Sequence, residues 1–169
     1  MKNGALIPGD PRGGTAGRPV LSLFRDRRGR LWAGSGGGGL DCLQDGNWRH
    51  YGPASGLRGS IIAALAEDRR GRLWAGSMRE GVHVLDRGAW RRYSAADGLA
   101  GDSVYAILVD ERGNVWLGTD KGLGLFRREA FLSFRQAGGP LTSPILALLQ
   151  DDSGGLWMST LNGIHRAQL

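Results

Sequence analysis

Asp68-Arg-Arg-Gly-Arg-Leu-Trp74 is the most informative stretch of this sequence, because the same frame occurs four times along the chain. The other copies run from Asp26 to Trp32, from Asp110 to Trp116 and from Asp151 to Trp157. Their tryptophans are 42, 42 and 41 residues apart, so four units of this length account for nearly all of the 169 residues. A repeat of this length is typical of architectures that stack one supersecondary unit several times.

Each unit predicts four short β-strands, of which the first is an apolar run that ends just before the repeated aspartate. These runs are Val20–Phe24, Ile62–Leu65, Val104–Val109 and Ile145–Leu149. Short apolar runs bounded by turn residues fit strands that are covered on both faces. The Asp-x-x-Gly that comes next predicts a hairpin turn, in which the carboxylate accepts backbone N–H groups and the glycine supplies a positive φ. We therefore assign turn roles to Asp26, Asp68, Asp110 and Asp151.

The tryptophan belongs to the second strand, which is predicted at residues 31–34, 73–76, 115–118 and 156–159. A third apolar strand comes after a loop, at residues 40–43, 82–85, 123–126 and 164–166. The fourth strand, at 48–51, 90–93 and 131–134, alternates aromatic with polar residues. This alternation is typical of an outer strand with one face exposed to solvent. No segment keeps a helical period, so the sequence predicts essentially no helix.

Four-stranded units at this spacing predict an all-β protein, a β-propeller of four antiparallel blades arranged around an axis. We expect one propeller over residues 1–169, with blades at about 20–61, 62–103, 104–144 and 145–169. The last unit lacks an outer strand, and residues 4–9 are a candidate closing strand. Two arrangements stay open: a small ring closed by one chain, or half of a larger ring completed by a second chain. In both, the repeated tryptophans fill the wedges between blades: Trp32, Trp74, Trp116 and Trp157.

The composition excludes several classes of protein and site. A single cysteine, Cys42, excludes an internal disulfide framework and a multi-cysteine zinc site, and no paired-histidine spacing exists, so we expect no metal or cofactor. No apolar run is long enough to cross a bilayer, and Met1–Pro19 lacks the apolar core of a signal peptide. No nucleophile, base and oxyanion donor can be grouped from the sequence, so we expect no enzyme.

The net charge of +6 arises from 22 basic and 16 acidic residues, and 20 of the basic residues are arginine. Arginine forms bidentate pairs with carboxylates and phosphates, so an acidic partner is conceivable. The alternative is an ordinary solvated surface, because no long run of like charges occurs. The arginines are scattered over every unit rather than gathered with aromatic residues, so nucleic acid is not expected as a partner.

Further residues of the repeat carry a resemblance to a known family. One unit reads Asp97-Gly-Leu99, Ser103-Val-Tyr-Ala-Ile107, Asp110-Glu-Arg-Gly-Asn-Val-Trp-Leu-Gly-Thr119 and Gly122-Leu123. It resembles the two-component regulator propeller repeat of the sensor regions of bacterial hybrid histidine kinases, in four copies between Val20 and Ala167. That family usually has more repeats, followed by a membrane helix and signalling domains. None of those later parts is present in this sequence, so the resemblance implies either a piece of a sensor or a short relative, on the periplasmic or cell-surface side.

The loops between second and third strands vary while the framework stays constant, and in propellers these loops ring the axial opening. In a repeat protein, variable loops on a fixed scaffold are where partner contacts are placed. The candidate ligand-binding residues of these loops are Arg79, Glu80, Asp120, Lys121 and Asn162. Tyr105, near the start of the third unit's first strand, is added to them as an aromatic platform.

The resemblance implies a non-catalytic sensory or ligand-recognition module, whose ligand could be a carbohydrate or another small extracytoplasmic molecule. One alternative is a self-assembling interaction scaffold, in which two chains complete a propeller as a homodimer. Another is a propeller lyase, which would need a metal and a general base near the axis.

Overall fold

The computed structural model describes residues 17–134, 141 and 143–168. In these residues the chain forms three four-stranded antiparallel sheets and one three-stranded sheet, each a simple meander. We name the sheets blade 1 (β1–β4), blade 2 (β5–β8), blade 3 (β9–β12) and blade 4 (β13–β15). The strands are β1 Val20–Arg25, β2 Leu31–Ser35, β3 Leu40–Gln44, β4 Asn47–Tyr51, β5 Ile62–Glu67, β6 Leu73–Ser77, β7 Val82–Asp86, β8 Ala89–Tyr93, β9 Val104–Val109, β10 Val115–Thr119, β11 Gly122–Arg127, β12 Ala130–Phe134, β13 Ile145–Gln150, β14 Leu156–Thr160 and β15 Gly163–Ala167.

Neighbouring blades pack face to face through their innermost strands, β1 against β5, β5 against β9 and β9 against β13. This packing explains the glycine two residues after the tryptophan in blades 1 to 3. A Cβ on Gly76 would lie 2.7 Å from Cγ1 of Val104 in the next blade, so a larger residue would push the blades apart. A Cβ on Gly34 would likewise come too close to Ile62, and a Cβ on Gly118 too close to Ile145.

Three hydrophobic cores lie between the blades, and each contains one of the repeated tryptophans. Trp32 lies between blades 1 and 2 among Leu40, Tyr51 and Ile62. Its counterparts are Trp74 between blades 2 and 3, and Trp116 between blades 3 and 4. Trp32 and Trp74 are fully buried, and Trp116 is 5% exposed. Each of these indoles fills the space between two sheets.

The fourth tryptophan departs from this pattern, because no fifth blade packs against blade 4 among the described residues. Trp157 is 38% exposed and shares its face of the sheet with Leu149 and Ile164, which are 64% and 72% exposed. At the other end of the row, Leu23 of blade 1 is 65% exposed. The sheets therefore form an open arc of propeller blades. This confirms the predicted fold class, but residues 17–134, 141 and 143–168 do not close the small ring. The candidate closing strand at residues 4–9 lies outside them.

The linkers between blades contain short 3₁₀ turns at Pro53–Ser55 and Ala95–Asp97, and the described residues contain no α-helix. The side chain of Asp97 accepts a hydrogen bond from the Ser94 N–H, 2.9 Å away, and Gly98 continues the turn with φ +94°. Leu99, the next residue, is 1% exposed in the core between blades 2 and 3. The Asp-Gly-Leu element thus turns the chain and anchors the linker. In the part of the chain that the structure describes, no helix is long and apolar enough to span a membrane.

Candidate functional site

The loops that were predicted to carry ligand contacts lie on one edge of the arc, together with the linkers that join the blades. The N–H of Gly39 donates to the carbonyl of Ser60, at 2.8 Å, and the N–H of Gly81 donates to that of Asp102, at 2.7 Å. Each of these two loops is therefore tied to the linker that leads into the next blade. We call this edge the linker rim, and the opposite edge, formed by the Asp-x-x-Gly hairpins, the hairpin rim.

A hydroxyl group at the end of each second strand closes the loops of the linker rim. The Ser77 hydroxyl donates to the Gly81 carbonyl at 2.9 Å, and the Thr119 hydroxyl to that of Gly122 at 2.8 Å. Ser35 and Thr160 make the equivalent bonds in blades 1 and 4. These residues were not among the predicted site residues, although a Ser or Thr three residues after each of the four repeated tryptophans was the available signal. These bonds join the two ends of the variable loop in the same way in all four blades.

Arg79 and Glu80 lie in the loop between β6 and β7. Arg79 is exposed with φ +70°, and its N–H donates to the Ser103 hydroxyl at 3.2 Å. The Glu80 carboxylate lies 3.4 Å from the Arg92 guanidinium, whose Nε also donates to the Glu80 carbonyl at 2.8 Å. Within the described residues the Arg79 guanidinium makes no ion pair, so of these two side chains Arg79 is the one available to a ligand.

Asp120 and Lys121 lie in the turn between β10 and β11. The Asp120 N–H donates to the Ser103 carbonyl at 2.9 Å, and its carboxylate accepts the Ser103 N–H at 3.1 Å. Asp120 therefore holds the turn onto the linker. Lys121 is exposed, its backbone N–H donates to the Thr119 hydroxyl at 3.2 Å, and its ammonium has no ion-pair partner in residues 17–134, 141 and 143–168.

Tyr105 and Asn162 complete the predicted set. Tyr105 is half-buried near the start of β9, the innermost strand of blade 3. The Asn162 side chain donates to the Ser143 hydroxyl at 3.0 Å, across the last turn of the linker rim. The six candidates thus come from blades 2, 3 and 4 and follow one edge of the arc. Asp120 and Asn162 are engaged in contacts of the rim itself, whereas Arg79 and Lys121 project cationic groups that make no ion pair with any described residue.

A buried histidine behind the linker rim was not among the predicted site residues. His83 is fully buried in the face of blade 2 that packs on blade 1, and neither ring nitrogen has a hydrogen-bond partner among the described residues. Burial, together with the positive charges of Arg92 and Arg58, lowers the pKa of His83 to about 4. The ring is therefore neutral at physiological pH, and protonating it would place a charge in an apolar interface.

The repeated aspartates on the hairpin rim hold the tryptophans in place. In blade 2, one Asp68 oxygen accepts the backbone N–H groups of Arg70 and Arg72, at 2.9 and 3.0 Å. The other accepts the Trp74 indole N–H at 2.9 Å and the Arg72 Nε–H at 2.6 Å. Burial raises the pKa of Asp68, but these hydrogen bonds outweigh it and hold the pKa below its ordinary value. A carboxylate with this many donors is poorly suited to proton transfer.

The same aspartate-to-indole bond occurs in every repeat, at 2.8 Å from Asp26, 3.0 Å from Asp110 and 2.7 Å from Asp151. The sequence placed these aspartates in turns but did not predict the indole bond. In the described part of the chain, no group of three or more His, Cys, Asp or Glu side chains comes together as a metal site would require.

Comparison with known proteins agrees with this geometry. The family model described as two component regulator propeller matches residues 14–37, 56–79 and 98–121, which lie in successive repeats. No curated protein sequence matches significantly. Among solved structures, the extracellular domain of a B. thetaiotaomicron protein described as a putative hybrid two component system is 27% identical with a TM-score of 0.76. The alignment covers 89% of this chain and 20% of that one.

Two further structures share the fold at lower identity. An extracellular domain from B. thetaiotaomicron, described as a putative one component system, is 18% identical with a TM-score of 0.75, over 95% of this chain and 23% of the other. Virginiamycin B lyase from Staphylococcus aureus is 14% identical with a TM-score of 0.67, over 89% of this chain and 55% of the lyase. The chain thus spans about a fifth of the extracellular domains that it matches. It carries two-component regulator propeller repeats and forms a propeller domain of that type, as the resemblance of its repeats predicts.

Proposed function

We propose that this chain is part of a non-catalytic ligand-recognition module of a two-component-type sensor, on the periplasmic or cell-surface side of the membrane. The main support for the proposal is that the recurring and the variable positions of the repeat have different roles. The recurring aspartates are used in turns and three of the four recurring tryptophans in blade interfaces, while the loops that differ lie together on the linker rim. The similarity to the extracellular domain of a putative hybrid two component system supports both the role and the location.

The linker rim also suggests the chemistry of the ligand. Arg79 and Lys121 offer cationic donors, and Tyr105 offers an aromatic ring at the start of an innermost strand. Cationic donors recognise carboxylates, and aromatic faces pack against apolar surfaces. An oligosaccharide that contains uronic acid combines hydroxyl groups, carboxylates and such surfaces. We therefore propose an acidic carbohydrate as the ligand of the linker rim.

A thermal-shift series with neutral and uronic-acid oligosaccharides tests this function. A ligand at one hundred times its Kd adds about 2.7 kcal/mol, which raises the Tm of a domain of this size by several degrees. The double substitution Arg79→Ala/Lys121→Ala should remove most of that rise. Arg128→Ala, an exposed change on the hairpin rim, is the matched control and should keep it. A rise that the double variant retains in full would contradict this site, and cleavage of the bound oligosaccharide would contradict a non-catalytic role.

A second candidate function is favoured by the exposed end of the arc. Leu149, Trp157 and Ile164 form an apolar patch on blade 4, on the same face that buries a tryptophan in blades 1 to 3. We propose that a second copy of the chain can cover this face, so that two arcs complete a larger propeller. Such a contact would shield the Trp157 indole, and its N–H exchange would then slow as the protein concentration rises. An exchange rate that does not change with concentration would contradict this contact.

A further inference from the structure

A second candidate site lies on the hairpin rim, away from the loops of the linker rim. A groove of about 660 Å³ separates blades 1 and 2 at this rim. Among the described residues that line it, Asp86 is the one acidic residue, and Tyr51, Leu73 and Leu85 are the apolar ones. The lining also includes six arginines: Arg28, Arg30, Arg49, Arg70, Arg72 and Arg87. The groove is therefore strongly basic above an apolar floor.

The next blade interface shows how the fold satisfies arginines at these positions. There, Glu129 of blade 3 reaches across to two arginines of blade 2. Its Oε1 lies 2.6 Å from Nη1 of Arg70, and its Oε2 lies 3.2 Å from Nη1 of Arg72. One carboxylate thus bridges two guanidinium groups between the blades. Charge-assisted bonds of this kind are among the stronger hydrogen bonds in proteins.

The interface between blades 1 and 2 has the same arginines without the carboxylate. Arg28 and Arg30 follow Asp26 by two and four residues, as Arg70 and Arg72 follow Asp68. Glu129 is the second residue of the turn between β11 and β12, and Gly88 holds that place in the turn between β7 and β8. Glycine supplies no carboxylate, so the repeat leaves this position unfilled.

Among the described residues, no acidic partner of the arginines that line the groove occupies the place that Glu129 takes in the next interface. Arg30 is bound to Asp26 through Nε, at 2.6 Å, and Arg49 lies over the Tyr51 ring at 5.0 Å. Within residues 17–134, 141 and 143–168, the guanidinium groups of Arg28, Arg49 and Arg87 make no ion pair. With Asp86 as the one acidic residue lining the groove, the local charge favours an anion.

We propose that this groove binds a carboxylate-bearing ligand, whose carboxylate takes the place between Arg28 and Arg30 that Glu129 takes between Arg70 and Arg72. Arg87 and Arg49 add positive charge around that place, and the apolar floor accommodates the carbon skeleton of the ligand. The fork of a guanidinium group matches a carboxylate bidentately, which favours a carboxylic acid over a neutral ligand of the same shape. The site is independent of the linker rim, and each can be present without the other.

Glutarate is a suitable probe, because its ends copy the glutamate side chain, and glutaramide is its neutral counterpart. Binding is followed by NMR titration of the arginine Nε–H signals at low ionic strength, since salt screens exposed charges. We expect saturable binding of glutarate at one site and at least tenfold weaker binding of glutaramide. Equal binding of the two compounds would overturn the proposal.

Gly88→Glu should place a carboxylate of the protein itself between Arg28 and Arg30, and so weaken glutarate binding at least tenfold. The substitution is tolerable because Glu129 itself adopts φ +62°, close to the +88° of Gly88, and no atom lies within 4 Å of the added Cβ. As an independent variant, Arg28→Gln/Arg87→Gln removes two unpaired cations and should weaken binding to the same extent. Arg112→Gln, the position in blade 3 that corresponds to Arg28, is the matched control and should leave binding unchanged. Undiminished binding in both test variants would overturn the proposal.

The reciprocal substitution tests the role of Glu129 as the internal counterpart of the ligand. Glu129→Gly frees Arg70 and Arg72, so it should create a second site and raise the stoichiometry from one glutarate to two. A stoichiometry that stays at one would show that an unpaired pair of arginines in this frame does not suffice, and would overturn the proposal.

Discussion

Replacing Trp74 with alanine is expected to lower the free energy of unfolding by about 3–5 kcal/mol, the usual loss for a large buried aromatic residue. The indole is fully buried between blades 2 and 3, with its ring 4.9 Å from that of Phe126. Its N–H also donates to Asp68, so the substitution removes packing and one buried hydrogen bond together. The loss is a large part of the stability of a typical domain, and urea denaturation followed by circular dichroism measures it.

Trp157→Ala is the matched control for this experiment. Trp157 occupies the same place in the repeat and makes the same bond to its aspartate, but its ring is 38% exposed. It therefore buries less apolar surface, and we expect less than half of the loss found for Trp74→Ala. Equal losses for the two variants would contradict the assignment of Trp74 to a blade interface and of Trp157 to an open face.

Lowering the pH from 6.5 to 4 is expected to destabilise the protein through His83 by as much as about 3 kcal/mol. Well above pH 6.5 the imidazole is neutral in both the folded and the unfolded chain, so it contributes no pH dependence. Below pH 6.5 the unfolded chain takes up a proton that the folded chain does not, because the folded pKa is about 4. The free energy of unfolding therefore falls with pH until the folded protein also becomes protonated.

His83→Leu tests this prediction by comparison with the unchanged protein. Leucine has a similar volume and carries no ring nitrogens to leave unpaired in the interface, so stability at pH 7 should be kept. The variant should lose the His83 part of the pH dependence between 6.5 and 4, as measured by urea denaturation at several pH values. Other titrating groups are common to both proteins and cancel in the difference. Parallel pH profiles for the two proteins would contradict a neutral, buried His83.

The repeat made the fold predictable, because the residues that form the turn and the second strand recur at the same place in every unit. The spacing of Trp32, Trp74 and Trp116 was enough to predict blades and their interfaces. The first strand of each unit was recognisable from its apolar residues and was bounded by an Asp-x-x-Gly turn. The indole-to-aspartate bond was harder to anticipate, since the two residues are six positions apart and meet only when the hairpin is formed.

The sites were less predictable, because they depend on contacts between units. Asp120 looked like a free loop carboxylate, yet it accepts the N–H of Ser103 from the linker. The basic groove is lined by Arg28 of blade 1 and Gly88 of blade 2. The absence of a carboxylate at Gly88 can be recognised only by comparison with Glu129, which holds the equivalent position in the next interface and pairs with Arg70. The exposure of Trp157 depends on whether another sheet packs against blade 4, which local sequence does not encode.

Hydrogen exchange of the indole N–H groups shows whether three of the four equivalent tryptophans are wedges between radially packed sheets. In dilute solution, NMR of protein labelled with ¹⁵N-tryptophan should show slow exchange for Trp32, Trp74 and Trp116 and much faster exchange for Trp157. Four equal rates would contradict the account, since all four indoles make the same bond to an aspartate and only burial between blades distinguishes them.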